Sequence, residues 1–211
     1  MKPAARDLTA ATGLHPPSAV LLDLDGTLTV PRLDFAQILR DMGLPPGHSI
    51  LEALADMDPA TRAEAEAVLG RHEREAAEGS ELAEGCRELL GWLAGRDVPF
   101  AIITRNSRAS LATVCARHGL PACVTVARDD AAHKPDPAPL HLACARLGRP
   151  AGSAWMVGDG QFDVEAGRAA GMTTVWLTLG RPARPFAAEP TASVRALPEL
   201  LDLLKRVDAV T

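Results

Sequence analysis

Apolar positions along the chain fall into two alternating patterns. Five short runs are nearly continuous in apolar residues: 18–23 (SAVLLD), 97–104 (DVPFAIIT), 122–127 (ACVTVA), 153–158 (SAWMVG) and 173–178 (TTVWLT). Runs of this length without polar alternation predict strands buried on both faces. Between and after them, apolar residues recur at spacings of three and four, which predicts helices. ELLGWL puts Leu89, Leu90 and Leu93 on one face, RASLATVCARHG closes on Gly119, and FDVEAGRAAG closes on Gly171. DPAPLHLACARLG opens with Asp136 as N-cap and Pro137 at the first helical position, and closes on Gly148. LPELLDLLKRV ends the pattern. This alternation predicts an α/β fold, a Rossmann-like three-layer core around a parallel sheet. Ligands of such sheets bind beyond the C-terminal ends of the strands, where the strand order reverses.

Residues 30–84 break the alternation and contain no convincing strand. DFAQILRDMG and HSILEALADM read as two helical pieces, and Asp58-Pro59 opens a longer helix through about Glu78. Its apolar stripe is expected along Ala65, Val68, Leu69, His72 and Ala76. The expected organisation is therefore a loose N-terminal tail over 1–17, a core built from 18–29 and 85–211, and a small all-helical cap domain inserted over 30–84. The cap is expected above the strand ends, bending on linkers near 28–31 and 80–85. GRPARPFAAEPT, residues 180–191, reads as a surface loop from its Pro and Gly content.

Composition narrows the partners. Lys and Arg number 22 against 27 Asp and Glu, a net charge of −5, and no long basic run appears. This argues against a nucleic-acid partner. No run is long enough to span a membrane, and the N-terminus has no apolar signal core. Cys86, Cys115, Cys123 and Cys144 form no CxxC pair and no zinc-like cluster with His; they are expected as buried, reduced thiols. A cytoplasmic protein, monomer or homodimer, is the expectation. Trp92, Trp155 and Trp176 fall in core-like segments and are expected to pack.

Chemistry gathers at the strand ends. The first run delivers Asp23 and Asp25, the second Thr104, Arg105 and Asn106, and the loop after the third His133-Lys134-Pro135-Asp136. The fourth delivers Asp159 and, one turn later, Asp163. A parallel sheet brings all of these to one edge. Three carboxylates from two strands make an oxygen-rich site suited to Mg²⁺, and a lysine and a hydroxyl beside it suit a phosphoryl group. A calcium loop is excluded, because Gly26 stands at loop position four and Leu28 at position six.

In these four segments, DLDGT (23–27), ITRN (103–106), HKPDP (133–137) and GDGQFD (158–163), the chain resembles the haloacid dehalogenase superfamily, in its phosphatase branch with a small helical cap. It looks closest to phosphoglycolate-phosphatase-like members. The resemblance implies a Mg²⁺-dependent phosphatase of a small phosphorylated metabolite, of phosphoglycolate or sugar phosphate type. Asp23 would be the nucleophile and Asp25 the general acid and base. Thr104 and Lys134 would hold the phosphoryl group. Asp23, Asp159 and Asp163, with the main-chain carbonyl of Asp25, would bind the metal. Asp25 argues against carbon–halogen cleavage, since dehalogenases of the superfamily usually lack it. A phosphomutase of the beta-phosphoglucomutase type would use the same residues, and a catalytically silent binding module is the alternative of another class.

Overall fold

The structure, a computed structural model, describes residues 13–121, 123–182 and 186–209. Most of the expected tail, residues 1–12, lies outside them. The elements run β1 (Ala19–Leu22), α1 (Phe35–Asp41), α2 (Ile50–Ala55), α3 (Pro59–Glu78), α4 (Cys86–Gly95), β2 (Phe100–Ile103), α5 (Arg108–His118) and β3 (Val124–Val126). They continue with α6 (Ala138–Leu147), β4 (Ala154–Gly158), α7 (Gln161–Ala169), β5 (Thr173–Leu177), β6 (Ala192–Val194) and α8 (Leu197–Asp208). Among the described residues six strands form one parallel sheet in the order β3-β2-β1-β4-β5-β6. The order reverses between β1 and β4, which lie side by side with Leu22 opposite Val157.

Strand alternation divides the apolar residues between two cores. Val20, Leu22, Ile102, Trp155, Val157 and Val175 pack against Leu89 and Leu93 of α4 and the leucines of α8. Ala19, Leu21, Ala101, Ile103 and Met156 pack against Leu140 and Ala143 of α6 and Ala166 of α7. The three-layer α/β core is thus present as expected. β6 is an addition: three residues, ASV, extend the edge of β5 just after the segment read as a loop. α6 begins at Ala138, one residue later than expected, with Pro137 rather than Asp136 at its N-cap; Asp136 precedes the cap, and its Oδ1 accepts from the Ala138 amide at 2.7 Å.

Residues 30–84 hold α1, α2 and α3 and no strand. They share a small apolar cluster of their own: Ile38, Leu39, Ile50, Leu54, Ala65 and Leu69. The two chain segments leading into and out of these helices pair with each other. Val30 N–H donates to Glu81 O and Ala83 N–H to Leu28 O, both at 2.9 Å, with Thr29 bridged to Leu82. Asp58 starts α3 as its N-cap, accepting from the amides of Ala60 and Thr61. The stripe of α3 departs from expectation in its second half. The buried row is Ala65, Leu69, Glu73 and Ala77, a strict i+4 series, and His72 and Ala76 are only half-buried. Glu73 takes an apolar position because α3 packs along α5 and the carboxylate meets a partner there. It pairs with Arg128, just past β3, and accepts from Ser107 N–H at 3.2 Å.

Cys86 and Cys144 are buried as expected, but Cys115 and Cys123 are only half-buried; all four are free thiols. No helix among the described residues is long and apolar enough to cross a membrane.

Candidate active site

The register of the sheet places the acids. β1 ends at Leu22, and Asp23 N–H donates to Val157 O at 2.9 Å, tying the first carboxylate to the end of β4. Asp159 follows β4 directly, and Asp163 lies in the first turn of α7. Neighbouring strands lie only about 4.8 Å apart, so side chains leaving two adjacent ends must meet. One carboxylate oxygen from each of Asp23, Asp159 and Asp163 lies within 4.8 Å of the others. Two glycines make room for this. At Gly158 an added Cβ would fall 2.1 Å from Asp163 Cγ. At Gly26 it would fall 2.6 Å from the Asp159 carboxylate, and the backbone there has φ +81°, the left-handed region that favours glycine.

Lys134 compensates the cluster from the loop beyond β3. Its ammonium is 2.6 Å from Asp23 Oδ1, 2.5 Å from Asp163 Oδ1 and 3.0 Å from Ile103 O. Three acceptors thus use all three N–H donors of a side chain only 2 % exposed. Burial works to lower the Lys134 pKa, and Asp163 and Asp23 outweigh it, so the ammonium is held above its ordinary value. Burial pushes the Asp23 carboxyl well up; Lys134 opposes this, and Asp163 and Asp159 add to it. Asp159 is also raised, by burial and by Asp163, against the pull of Arg181.

Asp25 stands outside the three-carboxylate cluster. Its carboxyl accepts from Arg32 N–H at 3.4 Å, and burial pushes its pKa up to about 6. Thr104 is buried at the end of β2, where its hydroxyl accepts from Asn106 N–H at 3.1 Å. The Thr27 hydroxyl is buried without a partner among the described residues. All six residues singled out in the sequence, Asp23, Asp25, Thr104, Lys134, Asp159 and Asp163, line one cavity of about 650 Å³, walled also by residues of α2 and α3.

The cavity holds residues that the motifs do not include. Arg181, past β5, donates to Asp159 O at 2.7 Å and Asp159 Oδ2 at 2.9 Å. Trp176 is more than core packing, since its indole N–H donates to Asp159 O at 3.0 Å and its ring lines the cavity. Phe186 meets that ring edge-on, centroids 4.9 Å apart. The segment read as a surface loop therefore furnishes two wall residues. The strand-end rule would have found Arg181, four residues past β5; nothing local marks Phe186. Arg105, flanking its motif, lies 4.1 Å over the Phe162 ring, donates to Lys134 O and pairs with Glu52 of α2 at 2.9 Å. His133 lies beside the same Glu52, at 3.7 Å.

A lysine bridging two carboxylates beside a third, at the reversal point of a parallel sheet, is the arrangement that the four motifs imply, and a family model for haloacid dehalogenase-like hydrolases matches residues 17–171. The chain belongs to this family. Among relatives of this hydrolase, the phosphoglycolate phosphatase of Rhodospirillum rubrum is 31 % identical over 211 residues, covering 86 % of each chain. The N-acetylmuramic acid 6-phosphate phosphatase of Pseudomonas putida is 31 % identical over 188 residues, covering 77 % of this chain and 83 % of the relative. A crystal structure of a hydrolase from Pseudomonas syringae shares the fold, with a TM-score of 0.76 at 21 % identity, over 92 % of this chain and 99 % of that one.

Proposed function

We propose that this hydrolase is a Mg²⁺-dependent phosphatase that cleaves a small phosphate monoester, of phosphoglycolate or sugar phosphate type, through a phosphorylated Asp23. The observation that carries this reading is the Lys134 ammonium held between Asp23 and Asp163, beside Asp159.

The donor set fits the metal. Three clustered carboxylate oxygens, two of them on groups whose pKa burial raises, call for a hard cation. Asp23, Asp159 and Asp163, with the main-chain carbonyl of Asp25, would hold Mg²⁺, which when bound supplies positive charge to the phosphoryl oxygens and to the attacking carboxylate. The Thr104 hydroxyl donates to the phosphoryl group, and Lys134, its three N–H groups engaged by Asp23, Asp163 and Ile103, holds it by positive charge in line with Asp23. Asp23 attacks phosphorus, and the bond to the alcohol oxygen breaks as Asp25 gives that oxygen its proton. Asp25, now ionised, takes a proton from a water that attacks the phosphorylated Asp23, releasing phosphate and the free carboxylate. A pKa near 6 lets one carboxyl serve both turns. Residues 30–84 act as a cap over a core of 18–29 and 85–211, and closure of the cap excludes bulk water.

Phosphate release from p-nitrophenyl phosphate and a panel of small esters, with Mg²⁺ and with EDTA, tests this. Release that needs Mg²⁺ and is lost in Asp23→Asn is expected. Full activity of Asp23→Asn, or no release from any ester by folded protein, would end the proposal.

A further inference from the structure

The chain is poor in aromatic residues, with four Phe, three Trp and no Tyr. Four of these seven line the cavity that holds the clustered acids: Phe35, Phe162, Trp176 and Phe186. Of the other three, Phe100 and Trp155 are buried in the core and Trp92 packs half-buried against it. Phe162 is occupied beneath the Arg105 guanidinium. Phe35 and Phe186 face the cavity from opposite parts of the molecule, one opening α1 of the insertion and the other following β5. Phe35 is 58 % exposed, although its helix has an apolar cluster that does not include it. At the mouth of the site, Phe35 offers a free aromatic face to what enters.

Size and charge point the same way. A two-carbon phospho-acid has nine heavy atoms; even at the ~30 Å³ that a water takes in the liquid, it fills roughly 270 Å³. The cavity holds about 650 Å³. A phospho-acid also brings a carboxylate, and both arginines lining the cavity already face one, Arg105 that of Glu52 and Arg181 that of Asp159, each at 2.9 Å. Apolar faces with polar groups at their edges match a pyranose, whose C–H faces lie on aromatic rings while its hydroxyls point sideways.

Resting on the phosphatase reading, we infer that the alcohol half of the substrate is a sugar ring, a monophosphorylated hexose rather than a phosphorylated two-carbon acid, and that Phe35 and Phe186 set this preference. The test compares kcat/KM for 2-phosphoglycolate, glucose 6-phosphate, N-acetylglucosamine 6-phosphate and phenyl phosphate, in the wild type and in Phe35→Ala and Phe186→Ala. At least one hexose phosphate is expected to exceed phosphoglycolate tenfold or more. Each variant is expected to lower the ratio of hexose to two-carbon ester at least fivefold, mainly through KM. Phosphoglycolate ahead of both hexose esters, phenyl phosphate ahead of all, or an unchanged ratio in both variants would overturn the inference and leave the phosphatase intact. Hydrolysis of none of the four would overturn both.

Discussion

Glu73 and Arg128 provide the sharpest test of how the inserted helices are held to the sheet. Glu73 lies three quarters of the way along α3 and is 2 % exposed; Arg128 follows β3 and its side chain is 20 % exposed. Removing one partner of a buried ion pair costs about 3–5 kcal/mol, because the other is left buried and unpaired. Arg128→Met strands the more deeply buried charge, and Ser107 N–H is then its remaining donor, so the full ~3–5 kcal/mol is expected. Glu73→Gln keeps an acceptor for Ser107 and strands an arginine with some access to water, so about 2 kcal/mol is expected. The double variant removes both charges, and its cost should fall at least about 1.5 kcal/mol short of the sum of the singles. At roughly 2–4 °C per kcal/mol for a chain of this size, Arg128→Met should melt about 6–20 °C below the wild type. Urea unfolding of the four proteins measures the cycle, and the slope m should stay constant. Single losses that add to within ~0.5 kcal/mol would refute the pairing as the tie between insertion and core.

Two further predictions concern the site. Asp25 must carry a proton to act as acid, so with its pKa near 6 the kcat/KM of an unactivated ester should fall as pH rises above about 6, approaching tenfold per unit. A profile flat from pH 5.5 to 8 would refute that role. The same shift makes Asp25 retain a proton that the unfolded chain has lost between its ordinary value of 3.8 and about 6, so its contribution to stability declines as pH rises through that window. Gly26→Ala forces a left-handed alanine, at roughly 1–2 kcal/mol, and drives a Cβ into the Asp159 carboxylate. It should lower both the melting temperature and the stabilisation by Mg²⁺. Gly91→Ala on α4, where an added Cβ meets nothing within 4 Å, is the control; by helix propensity it should gain up to ~1 kcal/mol.

What could be read from the sequence was what is local. An apolar run and the polar residue that ends it lie within a few positions of each other, so Asp23, Thr104 and Asp159 were visible as strand-end residues before any pairing was known. Helix stops at Gly119 and Gly148 were visible for the same reason, and both are left-handed caps here. β6 was not visible, because three residues of modest strand preference become a strand only where β5 offers an unpaired edge. Glu73 was missed because periodicity ranks residues by polarity, and its burial depends on Arg128, fifty-five residues away. Arg181 lay within reach of the strand-end rule, but Phe186 was hidden in a segment rich in Pro and Gly, which predicts a loop but not where the loop folds back.

The order of the sheet also explains how a chain of net charge −5 can receive an anion. The acids stand at its middle, on β1 and β4, and the cations come from the flanks: Lys134 from beyond β3 and Arg181 from beyond β5. Lys134 meets two carboxylates and Arg181 the third, so the cluster is held together yet keeps one charge more than its cations offset. That excess is what burial turns into raised pKa values at Asp23 and Asp159, and what a divalent cation would relieve. Asp23, Lys134, Asp159 and Asp163 lie within the four segments, and Arg181 alone comes from outside them, past β5. The cavity wall away from the acids is built from Phe35, Phe186 and residues of α2 and α3, which lie in residues 30–84 and after β5, and the alcohol half of the proposed ester would face this wall. A change of substrate therefore needs no change in the charge balance, and motifs that identify the chemistry carry no information about the ring.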